Sequence, residues 1–199
     1  KKFCVAHNGV LSLFGDVDVE QVSALAERFF CGLPPGEEAL RQPPRPAPME
    51  ASLEAAEPMD KQQAVLMVGY RGADLHDPDG PALDLLDEAC SDLGSRMFIR
   101  IREQLGLAYS VGSSAARGMA SGSFVFYVGT DPLKQTAVLA ELRDEIRQLA
   151  ESGLTEPELS RAKEKFLGAM EIRNQSLAAF ASGCTMDELL GLGAEHYLV

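Results

Sequence analysis

Four apolar or alternating stretches of the chain predict β-strands. Val10 to Phe14 is a short apolar run that ends at a glycine, and Ala64 to Val68 is apolar throughout, as in a strand buried on both faces. Leu107 to Ser114 and Ser121 to Gly129 follow each other across a glycine-containing loop, which predicts an antiparallel hairpin. The pattern therefore indicates a sheet that is largely antiparallel.

Apolar residues at helical spacing predict helices after each of the first two strands and in a run after the hairpin. Capping residues mark predicted starts at Asp16 or Asp18, at Asp131, and at Thr155 with Glu158. The predicted core-facing positions are Val22, Leu25, Ala26, Phe29, Leu83, Leu86, Cys90, Leu139, Leu142, Ile146 and Leu149. The order of elements predicts an α+β fold with helices packed on one face of a largely antiparallel sheet.

Residues 32–60 are dominated by proline and hold seven of the eleven prolines of the 199-residue chain. Neither a helix nor a strand ladder persists through such a segment, so we expect a connection that crosses the surface. We expect it to lie inside a single domain of residues 1–199, because the strand and helix before it cannot form a core. The chain opens without a methionine and stops without a helix cap, and we expect it to be a fragment of a longer polypeptide.

The chain is acidic, with a formal net charge of −12, and this charge limits the classes of partner that it can bind. A surface for nucleic acid or for an anionic membrane needs clustered lysines and arginines, so we expect neither partner. No stretch reaches the roughly 20 apolar residues of a membrane-spanning helix, and no signal peptide opens the sequence.

Cys4, Cys31, Cys90 and Cys184 lie far apart, with no C-x-x-C pair among them. Such scatter predicts buried free thiols in a reducing compartment, and hence a cytoplasmic location. A disulfide or a metal-binding role for some of them is the alternative.

The chemistry of a zinc peptidase is missing from the chain itself. His7, His76 and His196 are widely separated, and no H-x-x-E-H motif or its inverse occurs. No G-x-S-x-G nucleophile elbow and no dinucleotide-binding fingerprint is present either. We therefore expect this chain to bind no metal and, in isolation, to cleave nothing.

One helix-to-strand corner does combine groups that could bind a carbonyl oxygen. The segment RMFIRIREQ predicts a short helix that ends at Gly106, with Arg102 in its last turn and Tyr109 on the strand that follows. Leu107, Tyr109 and Val111 are expected on one face of that strand. A guanidinium and a phenol on one wall would offer fixed hydrogen-bond donors to a developing oxyanion. The alternative is that Arg102 complements the helix dipole and Tyr109 packs in the sheet.

Four segments carry a family resemblance: GDVD with ALAERFFCGLP, LGSRMFIRIREQLGLAYSVGSS, GSFVFYVGTDP, and GLTEPELSRAKEKFLGAM. Together, from about Val10 to about Gly191, they resemble the C-terminal half of M16-type zinc metallopeptidases, a group that includes pitrilysin-like enzymes and mitochondrial processing peptidases. The segment IREQLGLAYSV, preceded by SRMF, is the most specific part of the match. The resemblance implies a metallopeptidase-half architecture of the LuxS and processing-peptidase type.

The resemblance also implies a site and a partner. In this family two related halves close like a clam; the first holds zinc through H-x-x-E-H and a distant Glu, and the second supplies an Arg and a Tyr to the substrate backbone. Those two residues correspond to Arg102 and Tyr109, with Arg100 as a competitor for substrate binding. The implied function is the substrate-binding half of a zinc endopeptidase, working on a peptide with a zinc-bearing half in cis or in trans. A dimer is a further expectation.

Two alternatives stay open. The chain could belong to a catalytically inactive M16 homologue that acts as a structural or substrate-binding subunit, since such a subunit would also lack the zinc motif. It could also be an unrelated α+β binding domain.

Overall fold

The computed structural model describes residues 4–36 and 43–196. The chain divides into two compact units, Lys1–Pro43 with Gly168–Val199, and Pro44–Leu167. Within the predicted connection of residues 32–60, residues 37–42 lie outside the described residues, and the described remainder contains no helix or strand. The extent of the domain stays a prediction.

The unit Pro44–Leu167 is built on a three-stranded sheet. Its strands are β1 (Ala64–Gly72), β2 (Ala108–Arg117) and β3 (Gly122–Thr130). β3 lies in the centre and pairs antiparallel with both neighbours. The predicted hairpin is thereby confirmed, and so is the antiparallel character of the sheet.

The helices of this unit follow from local signals. α2 (Gly80–Cys90) carries a proline in its first turn, and a π-helix (Phe98–Gln104) leads into β2. α3 (Gln135–Ser152) follows a short 3-10 turn, where the carboxylate of Asp131 accepts a hydrogen bond from the Leu133 N–H at 2.8 Å. The predicted capping function of Asp131 is confirmed.

These helices pack on one face of the sheet, as predicted. Phe124, Phe126 and Val128 are buried on that face of β3, because alternate residues of a strand point to the same side. The other buried apolar side chains of the same cluster are Cys90, Met97, Phe98, Ile101, Val111, Val138, Leu142 and Leu149. Of the remaining predicted core positions in this unit, Leu83, Leu86 and Ile146 pack partly buried against the cluster. Leu139 is half-buried and lies outside the cluster, and its neighbour Val138 is the buried residue.

On β1, the opposite face of the sheet is exposed. Val65 and Met67 on β1 are 60% and 70% exposed, so the expectation that this strand is buried on both faces is wrong. The reason is that the helices of the unit cover only the face that carries Phe124 and Phe126. An uninterrupted apolar run does not reveal which of its two faces has a neighbour.

In the other unit, Val10 to Phe14 is not a strand, contrary to the prediction. The segment contacts α5 (Leu177–Leu189) instead: the Phe14 and Phe180 rings meet edge to face at 5.5 Å, and the Thr185 hydroxyl donates to Ser12 Oγ at 2.6 Å. Side-chain packing on a helix replaces the backbone pairing that a strand would need.

The first helix, α1 (Val19–Phe30), begins where predicted, because the Asp18 carboxylate accepts a hydrogen bond from the Gln21 N–H. Its predicted core face is not buried: Leu25 is 48% and Phe29 73% exposed, with Val22 and Ala26 half-buried. The spacing sets the apolar face of a helix, but nothing described in this unit covers that face fully.

All four cysteines are free thiols, two of them buried and two exposed. Cys90 and Cys184 are buried as predicted, whereas Cys4 and Cys31 are exposed, so the prediction is wrong for these two. Cys4 lies before the first helical turn of the chain and Cys31 directly follows α1, so both are outside the helices and strands. Burial raises the pKa of the Cys90 thiol to about 12, which keeps it protonated and unreactive. None of the described helices is long and apolar enough to cross a membrane.

Candidate functional site

The site is the corner where the π-helix ends and β2 begins. The Leu105 N–H donates to the Arg100 carbonyl at 3.2 Å, and the Leu107 N–H donates to the Ile101 carbonyl at 3.0 Å, so the last turn is wider than an α-helical one. Gly106 has φ +60°, which an L side chain rarely adopts, and there the chain turns from helix to strand. The predicted helix stop at Gly106 is confirmed.

Two side chains from the end of β3 and the turn after it hold this corner in place. The Lys134 ammonium donates to the Gly106 carbonyl at 3.1 Å. The buried Thr130 hydroxyl donates to the Leu107 carbonyl at 2.5 Å. The Gly106 and Leu107 carbonyls both accept side-chain hydrogen bonds, so the backbone between Arg102 and Tyr109 is fixed at two points.

Arg102 is held by an aromatic ring and by no anion. Its guanidinium carbon lies 4.8 Å from the centroid of the Phe98 ring, one helical turn earlier. Among the described residues the guanidinium makes no hydrogen bond and no salt bridge. Every other arginine of Pro44–Leu167 donates to a protein oxygen. Arg102 is the exposed arginine of this unit whose N–H donors are all available.

Tyr109 sits on a β-bulge. Ala108 is opposite Thr130 and Ser110 is opposite Gly129, so Tyr109 is an extra residue without a partner on β3. Its side chain is 60% exposed, while Val111 is buried at 7%. The expectation that Tyr109 shares a face with Val111 is therefore wrong, because the bulge interrupts the alternation. No hydrogen bond to the phenol is found within the described chain.

Arg100 lies on the same π-helix but is already occupied. Its Nε donates to the Glu141 carboxylate on α3 at 3.2 Å, and its Nη1 lies 3.5 Å from the Gln104 side-chain oxygen. Two nitrogens of this guanidinium are thus directed at protein oxygens, which holds its orientation toward Glu141 and leaves it fewer donors than Arg102 has. Of the two candidate arginines, the geometry favours Arg102.

The arrangement is suited to binding a carbonyl oxygen or an oxyanion. An exposed guanidinium supplies several N–H donors and a phenol supplies an O–H, both carried by a fixed turn. No group of three or more His, Cys, Asp or Glu side chains in the described residues could hold a metal ion. Of the three histidines, His7 is bonded through Nδ1 to the Gly36 carbonyl at 2.9 Å.

Sequence reasoning found the two donors but missed what supports them. Phe98 beneath Arg102, the bulge at Tyr109 and the Lys134 contact to Gly106 are all visible only in the structure. One signal was available: Phe98 and Arg102 are four residues apart, the spacing at which helical side chains meet.

Comparison with known proteins shows the family to which this fold belongs. The profile of the peptidase M16 inactive domain matches residues 1–166. An uncharacterized zinc protease of Rickettsia bellii is 30% identical over 175 residues, which are 87% of this chain and 41% of that protein. A non-peptidase homologue of Helicobacter pylori is 36% identical over 90 residues, or 43% of this chain and 20% of that protein.

A solved structure agrees over more of the chain. The crystal structure of a peptidase M16 inactive domain from Pseudomonas fluorescens has a TM-score of 0.79 and 27% identity, and it covers 92% of this chain and 43% of that one. The present chain thus spans less than half the length of these relatives. It belongs to the peptidase M16 inactive-domain family and corresponds to the C-terminal half of an M16 protein.

Proposed function

We propose that this chain is the substrate-binding half of a zinc-dependent endopeptidase, in which Arg102 and Tyr109 donate hydrogen bonds to the carbonyl of the peptide bond being cleaved. The observation that carries the proposal is that Arg102 keeps all its donors free while its side chain is held over Phe98. A surface arginine with a merely structural role would be expected to pair with one of the many carboxylates of this acidic chain, as Arg100 does with Glu141.

Zinc belongs to another half of the protein in this proposal, encoded in the same polypeptide or in a partner subunit. When bound there, it would supply an activated water for attack on the peptide carbonyl. Arg102 and Tyr109 would bind the carbonyl oxygen, orient it, and stabilise the negative charge that forms on it. Because hydrogen bonds aimed at developing charge act mainly in the transition state, loss of one such donor costs about 2.7–4 kcal/mol.

The partners follow from the same reasoning. An unstructured peptide is the substrate, the zinc-bearing half is the obligatory partner, and the chain closes the chamber around the substrate. The net charge of −12 disfavours nucleic acid and anionic membranes as further partners. We also propose that the protein is cytoplasmic and that it forms a dimer.

A second candidate is a catalytically inactive homologue that binds peptides or serves as a structural subunit. The similarity to a non-peptidase homologue of Helicobacter pylori favours it. The two candidates differ in the other half: a zinc peptidase requires H-x-x-E-H there, and an inactive homologue does not. Unpaired donors at Arg102 and Tyr109 favour the first, since a structural subunit needs neither.

The proposal is tested by kcat/KM on a quenched unstructured peptide. The assay uses the complete protein, or this chain with its zinc-bearing half. Arg102→Ala and Tyr109→Phe should each lower kcat/KM by about 10²–10³-fold with thermal stability unchanged. Matched controls are Arg143→Ala, an exposed arginine on α3, and Tyr70→Phe, a tyrosine on β1 that is 50% exposed. Equal activity of the site variants and the controls would exclude the proposed role.

A further inference from the structure

We propose that Phe98 is a positioning residue for this site: its ring is a platform that orients the Arg102 guanidinium without using its hydrogen-bond donors. The inference rests on the proposed function, because a positioned guanidinium matters only if Arg102 binds substrate. The inference gives a function to Phe98, a buried residue for which the sequence pattern alone indicated none.

The platform itself is rigid. Phe98 is 8% exposed and belongs to the core cluster formed with the sheet. Its backbone N–H donates to the side-chain oxygen of Ser95 at 3.2 Å, and Ser95 is fully buried. A ring packed in this way cannot swing aside when the side chain above it moves.

The contact also leaves the guanidinium edge free. The guanidinium carbon is 4.8 Å from the Phe98 ring centroid, inside the distance at which a cation interacts with an aromatic ring. The N–H donors of a guanidinium lie in its plane, so contact through a face leaves them available to a ligand. A carboxylate partner would orient Arg102 equally well but would occupy those donors.

Arg100 supplies the comparison within the same helix. It is oriented by Glu141 and Gln104, and its donors are directed at protein oxygens. Arg102 is oriented by an apolar ring, and its donors are directed at none in the described chain. A side chain held before substrate arrives loses less rotamer freedom on binding, so the ring should raise affinity for the transition state.

The test combines Phe98→Leu, which keeps an apolar side chain but removes the ring, with Phe98→Tyr, which keeps the ring. In the complete protein, Phe98→Leu should lower kcat/KM by about 3- to 30-fold, the range of a cation–aromatic contact, and Phe98→Tyr should restore most of it. In an Arg102→Ala background, Phe98→Leu should have no further effect, because the platform then has nothing to hold.

A structural role for Phe98 would give a different pattern. If Phe98→Leu lowers kcat/KM by the same factor with and without Arg102, or if Phe98→Tyr fails to restore activity although it folds, the positioning role is overturned. Thermal unfolding of each variant identifies any that are not folded at the assay temperature, and Phe98→Met, which also lacks the ring, takes the place of Phe98→Leu if that variant is among them.

A spectroscopic measurement separates this inference from the proposed function. The side-chain Nε–H resonance of Arg102 should be shifted upfield by the ring current in the parent protein and in Phe98→Tyr, and not in Phe98→Leu. Absence of the shift overturns the platform, even if Arg102→Ala is inactive. Full activity of Arg102→Ala overturns the proposed function, and with it the role of Phe98 in the reaction, even if the shift is present.

Discussion

The two ends of one short helix use arginine in opposite ways. Just before the π-helix, Arg96 donates to both oxygens of Glu158 at 2.8 and 2.5 Å and to the Gly153 carbonyl at 3.1 Å. In its last turn, the Arg102 guanidinium lies over the Phe98 ring and donates to no described protein atom. The first arginine joins two segments of the fold, and the second has donors to offer to a ligand.

The contrast shows that the shielding and pairing of a polar residue indicate whether it serves stability or function. Arg96 and Glu158 are 20% and 14% exposed, and a pair so shielded costs much when one partner is removed. Arg102 is exposed and unpaired, so removing it leaves no stranded charge behind. Removal of Arg96 should therefore lower stability, whereas removal of Arg102 should lower activity and leave stability almost unchanged.

The largest expected effect on stability is at Arg96. Arg96→Ala should lower the free energy of unfolding by about 2–3 kcal/mol, because it leaves the Glu158 carboxylate shielded and without its main partner. Arg102→Ala should change it by less than about 0.5 kcal/mol, as for an ordinary surface substitution. Urea unfolding at pH 7 measures both, and equal losses would erase the contrast between the two ends of the helix.

The Glu158 pair should also be visible in the pH dependence of stability. Hydrogen bonds from Arg96, and then from Thr155, hold the pKa of Glu158 at about 2, below its usual 4.5. Because the folded-state pKa is the lower one, the stabilisation is present above about pH 4.5 and is lost as the pH falls toward 2. It should amount to about 3 kcal/mol.

Comparing the protein with Glu158→Gln isolates this effect. Burial raises the pKa of Glu145, and that group contributes with the opposite sign, but equally in both proteins. The stability difference between the two proteins should shrink between pH 5 and pH 2.5 in urea titrations. A difference that stays constant over this range would show that Glu158 does not carry the pH dependence.

A smaller effect is expected when the two arginines of the π-helix are compared by lysine substitution. Arg102→Lys should lower kcat/KM by about tenfold, because lysine keeps the charge but loses the planar group that stacks and presents several donors. Arg100→Lys should change it by less than about threefold, since Arg100 is partly exposed and serves an ion pair with Glu141. A larger fall at Arg100 would make it the substrate-binding arginine.

Local sequence signals predicted the elements that depend on neighbouring residues. The alternation of Phe124, Phe126 and Val128 with Val125 and Tyr127 predicted the central strand, and the helix stop at Gly106 was equally local. The Thr155 and Glu158 pair predicted the start of α4 (Glu156–Asn174), where the Glu158 carboxylate accepts from the Thr155 N–H at 2.8 Å.

Features that depend on distant partners could not be read from the sequence. Val10 to Phe14 has the composition of a strand, but whether it pairs or packs on a helix depends on what lies beside it. The bulge at Tyr109 is set by the register between β2 and β3, which no residue of β2 encodes alone. The candidate site likewise came from family resemblance, and the structure added the reason why Arg102 has free donors.

The most direct test of the central claim is inhibition by a phosphinic peptide, whose tetrahedral centre resembles the state that Arg102 and Tyr109 are proposed to stabilise. Its inhibition constant and KM/kcat should be measured for the parent protein, Arg102→Ala, Arg102→Lys and Tyr109→Phe. The account predicts that the two quantities rise together, with a slope near one on logarithmic axes and little change in KM. An inhibition constant that stays the same while kcat/KM falls would contradict it.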